Sequence, residues 1–79
     1  MNWHWIDHIN LQLIERKITK ELVETAINNP DKIVKGKKGR KIYQKITGDK
    51  LIRVVTEGDR LITVYLTDKI KKYMGGGKT

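Results

Sequence analysis

Lys41, Tyr43 and Lys45 alternate along one stretch of the chain, and Arg53 and Tyr65 follow in two further stretches rich in Ile, Val and Thr. Alternate residues of a strand share a face, so this spacing gathers cations and phenol rings on a sheet. Lysines neutralise phosphates and tyrosines stack on unpaired bases, so the chemistry on offer is that of holding RNA. Cutting RNA would ask for more. The 2′-hydroxyl attacks the neighbouring phosphate, so one group must accept a proton, one must stabilise the charged phosphorane and one must protonate the leaving 5′-oxygen. Lys41 and Lys45 are the candidates for phosphate charge, and Tyr43 and Tyr65 for positioning or stacking a base. Arg53 is the candidate transition-state stabiliser if its register turns it to the open side of the sheet. The two histidines, His4 and His8, are both N-terminal and do not fall on the basic strands; His8 completes the catalytic candidates. Lys37, Lys38, Arg40 and Thr63 extend the RNA-binding set.

The charge distribution supports a polyanion partner. Net charge is +8, and it is uneven: residues 1–34 hold four Lys/Arg against five Asp/Glu, a net of −1, and residues 35–79 hold thirteen against four, a net of +9. An excess confined to one half is the footprint of nucleic-acid binding. Thirteen lysines, four arginines and eleven isoleucines also fit a lysine-decorated surface of a heat-loving or AT-biased proteome. There is no cysteine, so no disulfide or cysteine–zinc framework is available. His4 and His8 lack a partner ligand at metal spacing, and neither metal nor cofactor is expected. The terminal Gly-Gly-Gly-Lys-Thr imitates a phosphate-binding loop but lacks its earlier glycine, its strand and its helix. No leader and no apolar run of ~18 residues is present, which predicts a cytoplasmic chain without a membrane span.

The elements that must position these residues read as α+β: two N-terminal helices on an antiparallel meander of three or four strands, then a short C-terminal helix. Asn2 to Ile6 is an extended entry. Asp7 starts a helix carrying Ile9, Leu13 and Ile14 and ending near Arg16-Lys17, and Thr19 caps a second with Leu22, Val23, Ala26 and Ile27 inward. Pro30 stops it. Lys32 to Lys35 is a short edge strand and residues 36–39 a basic loop. Strands follow over 40–47, 50–56 and 60–67, joined by Gly48-Asp49 and Gly58-Asp59 in tight primed turns. A last helix runs from Lys69 to Met74, and 75–79 form a tail beyond a single domain of residues 1–74.

Two-residue turns fix the faces. Ile46 meets Leu51, Gln44 meets Arg53 and Ile42 meets Val55; then Val55 meets Ile62, Arg53 meets Val64 and Leu51 meets Leu66. The helices are expected to cover Ile42, Ile46, Leu51, Val55, Ile62, Val64 and Leu66, with Gln44 and Arg53 as polar intruders. The open face then carries Lys41, Tyr43, Lys45, Ile52, Val54, Thr56, Leu61, Thr63 and Tyr65.

His8, Leu13, Glu15-Arg16, Ile18-Thr19, Val23, Asn29-Pro30, Val54-Val55 and Ile62-Thr63-Val64-Tyr65 resemble, in order and spacing, the pattern of the family called domain of unknown function 4258. The likeness spans residues 6–67. The plan is also similar to that of BrnT toxins, with their Trp-rich start and a closing basic helix with tyrosine, here Lys69 to Tyr73. Both belong with the RelE-like toxins. The resemblance implies a RelE-like fold with helices on one side of the sheet, an RNA-binding concave face, and an endoribonuclease acting on messenger RNA, in many cases on the ribosome, with an antitoxin protein as partner. It adds Lys69, Lys72 and Tyr73 to the RNA-binding candidates. The chain departs from the pattern at Gln12-Leu13, where Arg-Met is usual, and at Arg16-Lys17, where Arg-Gly is usual, so one arginine is missing. Two other functions stay beside nuclease activity: a non-catalytic nucleic-acid-binding module, and a protein-interaction domain that receives an acidic partner.

Overall fold

A computed structural model describes residues 3–74 of the chain; the tail expected over 75–79 lies outside them. The architecture is α+β, with three helices and a five-stranded mixed sheet. In chain order the elements are β1 (His4–Trp5), α1 (Asp7–Arg16), α2 (Lys20–Asn28), β2 (Lys32–Lys35), a 3₁₀ turn (Lys37–Gly39), β3 (Arg40–Thr47), β4 (Lys50–Glu57), β5 (Arg60–Thr67) and α3 (Ile70–Met74). No helix among the described residues is long and apolar enough to cross a membrane.

The strands lie in the order β1-β5-β4-β3-β2. β1 is the addition to the expected meander: the extended entry pairs parallel to β5, His4 with Arg60 and Trp5 with Leu61, which makes the sheet mixed. The other pairs are antiparallel. Gly48 and Gly58 stand at φ +63° and +62° while neither following Asp has positive φ. That is the II′ arrangement, whose twist matches the flanking strands.

Both helix ends follow local chemistry. The Thr19 hydroxyl accepts the Leu22 N–H at 3.1 Å and caps α2. α1 closes with Lys17 in the left-handed region (φ 56°, ψ 42°). The Ile18 N–H reaches the Leu13 carbonyl at 2.9 Å and the Lys17 N–H reaches that of Ile14 at 3.3 Å, the paired bonds of a Schellman turn. A side chain at this conformation costs roughly 1–2 kcal/mol that glycine avoids. Lys17→Gly is therefore expected to raise stability by about 1 kcal/mol, a rise in melting temperature of roughly 4–8 °C. A scanning-calorimetry midpoint that stays put or falls would refute this.

α1 packs on β5, and α2 on β3 and β4. Beneath them Ile9, Leu13, Val23 and Ala26 meet Ile52, Val54, Leu61 and Val64, with Ile18 and Ile27 closing the cluster. This corrects the expected faces. The helices cover the side bearing Tyr43, Ile52, Val54 and Leu61, and not the side bearing Ile42, Gln44, Leu51, Arg53 and Val55. The registers between β3 and β4 are as expected, Ile46 to Leu51 and Gln44 to Arg53. Between β4 and β5 a bulge at Val55/Thr56 shifts the pairing, so Arg53 meets Tyr65, Val54 meets Val64 and Val55 meets Thr63. Gln44 and Arg53 explain the choice of side. They face each other at the centre of one face, and an apolar helix pair laid over them would leave their polar atoms unpaired.

Candidate nucleic-acid interface

Gln44 is fully buried, and it organises the face opposite α1 and α2. Its Oε1 accepts the Arg53 Nε–H at 2.6 Å. Its Nε2 donates to the Tyr73 carbonyl at 3.1 Å and approaches the Met74 sulfur at 3.6 Å, which lays α3 against this face. Lys32 Nζ donates to the Met74 carbonyl at 3.3 Å. Arg53 donates from Nη1 to the Tyr65 hydroxyl, and its guanidinium lies 3.9 Å from the Tyr73 ring centroid. Lys72 Nζ sits 5.3 Å from the same ring. The guanidinium is thus aimed by a buried amide, a phenol and a stacked ring. Such a group is held in one place before any ligand arrives.

Among the described residues Arg53 has no carboxylate partner. The two ion pairs among the described residues are Lys45–Asp31 at 4.0 Å and Arg60–Glu57 at 2.9 Å. Half-buried, with Nε and Nη1 engaged and no acceptor for Nη2 among the described residues, Arg53 is suited to a planar oxyanion such as phosphate. Along the same face the next cross-strand row is Ile42, Val55 and Thr63. Beyond it Gly36, Lys37, Lys38 and Arg40 rim an open cleft of about 330 Å³ floored by Ile42 and Val55. Cations therefore accompany the Arg53 centre, Lys72 beside the Tyr73 ring and Lys37, Lys38 and Arg40 beyond the Ile42–Val55 row.

The expected site residues separate into two groups. Arg53, Tyr65, Tyr73, Lys72, Lys37, Lys38 and Arg40 come together on the face opposite the long helices. Tyr43, Lys41, Lys45 and His8 do not join them. Tyr43 is packed against the core and meets Trp3 edge-on at 5.8 Å. Lys45 donates to the Asn29 carbonyl at 3.0 Å and lies beside Asp31, which ties β3 to the chain leaving α2. Lys41 alternates with Tyr43 on the helix side. Tyr43 and Tyr65, expected on one face, are on opposite faces because of the bulge. Lys69 precedes α3, its N–H held by the Thr67 hydroxyl at 3.1 Å. Gln44 and Lys32 are additions. The signal for Gln44 was its pairing with Arg53 in an otherwise apolar row.

His8 and Thr63 belong to a different network, along the outer edge of β5. Gln12, 7% exposed, accepts the Thr63 hydroxyl at 2.7 Å and the Val64 N–H at 3.1 Å through Oε1. Its Nε2 lies 2.7 Å from His8 Nε2, so the amide donates there and the ring nitrogen accepts. Arg16 donates to the Val64 carbonyl at 2.7 Å. The Val64 N–H and C=O, beyond the reach of β1, are thereby satisfied by side chains of α1, which hinders this edge from pairing with another chain. Gln12 is thus a structural seal. Gln12→Ala is expected to cost about 1–3 kcal/mol by stranding the Val64 N–H and to expose a pairing edge. A urea titration measures the first and size-exclusion chromatography the second. An unchanged midpoint with a monomeric elution profile would show that the seal is dispensable.

Set against protein-family models, curated proteins and solved structures, the chain finds no match in any of the three comparisons.

Proposed function

We propose that the chain binds single-stranded RNA across the face opposite α1 and α2, with Arg53 holding a backbone phosphate at the centre. The observation that carries this is the buried Gln44 that aims, between two tyrosines, a guanidinium with no carboxylate partner among the described residues. The positive half of the sequence supports it, because Lys37, Lys38 and Arg40 at the 3₁₀ turn and Lys72 of α3 lie on the same side. The tyrosines supply stacking surface, and stacking on single strands tolerates any base.

The finer proposal is a RelE-like fold and a toxin-type endoribonuclease acting on messenger RNA and held in check by an antitoxin. Here Arg53 stabilises the charge that develops on the phosphorane, and the Tyr65 hydroxyl, already bonded to it, is the group placed to pass a proton. One observation favours the plainer reading of a binder without cleavage. His8 faces Gln12 at the far edge of β5, so this histidine is not at the Arg53 centre to act as acid or base. Lys41 and Lys45, turned to the helix side, are set aside as phosphate ligands.

Expression in a bacterial host decides between the two. A nuclease arrests growth and shortens messenger RNA, and Tyr65→Phe relieves both while keeping RNA affinity. A pure binder leaves growth and transcripts intact while still retaining RNA in a filter assay. Loss of RNA retention altogether contradicts both readings.

A further inference from the structure

The cleft rimmed by Gly36, Lys37, Lys38 and Arg40 has a feature that plain charge attraction does not require: its floor is aliphatic. Ile42 and Val55 are cross-strand partners and line its base. Three exposed cations converge above this floor, and none takes part in an ion pair among the described residues. Lys38 is also held at φ +59°, ψ +36°, in the small left-handed region that side-chain-bearing residues seldom adopt. A glycine follows it directly, itself at φ +75°, so the turn keeps a lysine where a second glycine would be relaxed. Strain is thus retained at a lysine that lines a charged cleft, the kind of place where strain serves a function.

Position supplies the ligand's identity. The Ile42–Val55–Thr63 row lies two residues along the strands from the Gln44–Arg53–Tyr65 row, about 7 Å at 3.3–3.4 Å per residue. That is close to one nucleotide step of an extended strand. An apolar floor accepts the face of a base, and a cationic rim accepts its phosphate. We infer that this cleft is a nucleotide subsite, which takes one unstacked base of single-stranded RNA on Ile42 and Val55 and its phosphate between Lys37, Lys38 and Arg40, next to the phosphate held by Arg53. The inference rests on the RNA-binding reading and adds to it a requirement for a base. A paired base cannot enter, since its face is stacked within the duplex.

The test uses hexauridylate and its abasic counterpart, the same ribose-phosphate chain without bases, by fluorescence anisotropy on the full chain. Hexauridylate is expected to bind about tenfold more tightly than the abasic chain. Ile42→Thr/Val55→Thr keeps the β-branched shape and removes the apolar floor; it should cut that advantage to about twofold. Lys37→Ala/Lys38→Gly relaxes the turn and removes two cations; it should weaken both ligands about equally, by roughly tenfold. Equal affinity of the unmodified protein for the two ligands, or a full base advantage retained by the threonine variant, overturns the subsite. Those results leave the RNA reading standing if Arg53→Ala still weakens hexauridylate. If Arg53→Ala binds like the unmodified protein, the RNA reading itself is wrong, whatever the cleft variants do.

Discussion

Arg53→Ala is expected to weaken single-stranded RNA binding by roughly 10- to 150-fold, the loss of one charge-assisted bond worth about 1.5–3 kcal/mol. If the chain cuts RNA, the cleavage rate should fall by a further 10²- to 10³-fold or so, the usual effect of removing a group that stabilises developing oxyanion charge. Arg53→Lys keeps the charge and is still expected to fail largely. An ammonium on a flexible stem cannot bond Gln44 and Tyr65 while presenting a flat fork to phosphate. The alanine variant carries a structural cost that must be separated from function. It strands the Oε1 of the fully buried Gln44, about 1–3 kcal/mol. Arg53→Ala/Gln44→Leu leaves no stranded Oε1 and gives up the Gln44–Tyr73 bond instead, about 0.5–1.5 kcal/mol. This double variant should melt no lower than Arg53→Ala and still fail to bind. Restored binding in the double variant would mean that Arg53 serves the fold and not the ligand.

The second large effect is salt. Lys37, Lys38, Arg40 and Arg53 lie on one face and are free of carboxylate partners among the described residues. If they neutralise four phosphates, log affinity should fall with log salt at a slope of about −2.8 for a single strand. Between 50 and 200 mM salt the affinity then drops about 50-fold. Lys37→Ala/Lys38→Ala should bring the slope to about −1.4. Lys41→Ala/Lys45→Ala should leave it unchanged, because those lysines project on the helix side and Lys45 is engaged by Asn29 and Asp31. The reverse order of effects would return the interface to the side now assigned to the helices.

Local signals in the sequence were informative wherever one residue type decides one conformation. Gly48-Asp49 and Gly58-Asp59 gave the turns, Thr19 the cap of α2 and Pro30 its end. The β3–β4 register followed from the first turn. The faces did not follow, for two physical reasons. Both sides of the sheet are apolar, since α3 shelters part of the second side and Leu51 is fully buried there, so hydrophobic alternation does not rank them. The extra residue at Ile62 then breaks the period of two within β5, and nothing about Leu61-Ile62-Thr63 announces it. The Gln44–Arg53 pair did carry the answer. Two polar residues facing each other in an apolar row belong to a network with its own donors and acceptors, and that network needs a side not filled by the apolar faces of α1 and α2. β1 was legible only as extended chain, because its partner lies 56 residues away and two residues carry too little pattern to name it.

RNA is expected to lie across Arg53, Tyr65 and Tyr73 and not across Tyr43 and Lys45. Side-chain NMR during titration with hexauridylate addresses it most directly. The Arg53 Nε–H and the Tyr65 and Tyr73 ring signals should shift together along one saturating curve, with the Tyr43 ring and Lys45 unmoved. Shifts at Tyr43 and Lys45 with a silent Arg53 would place the RNA on the helix side instead.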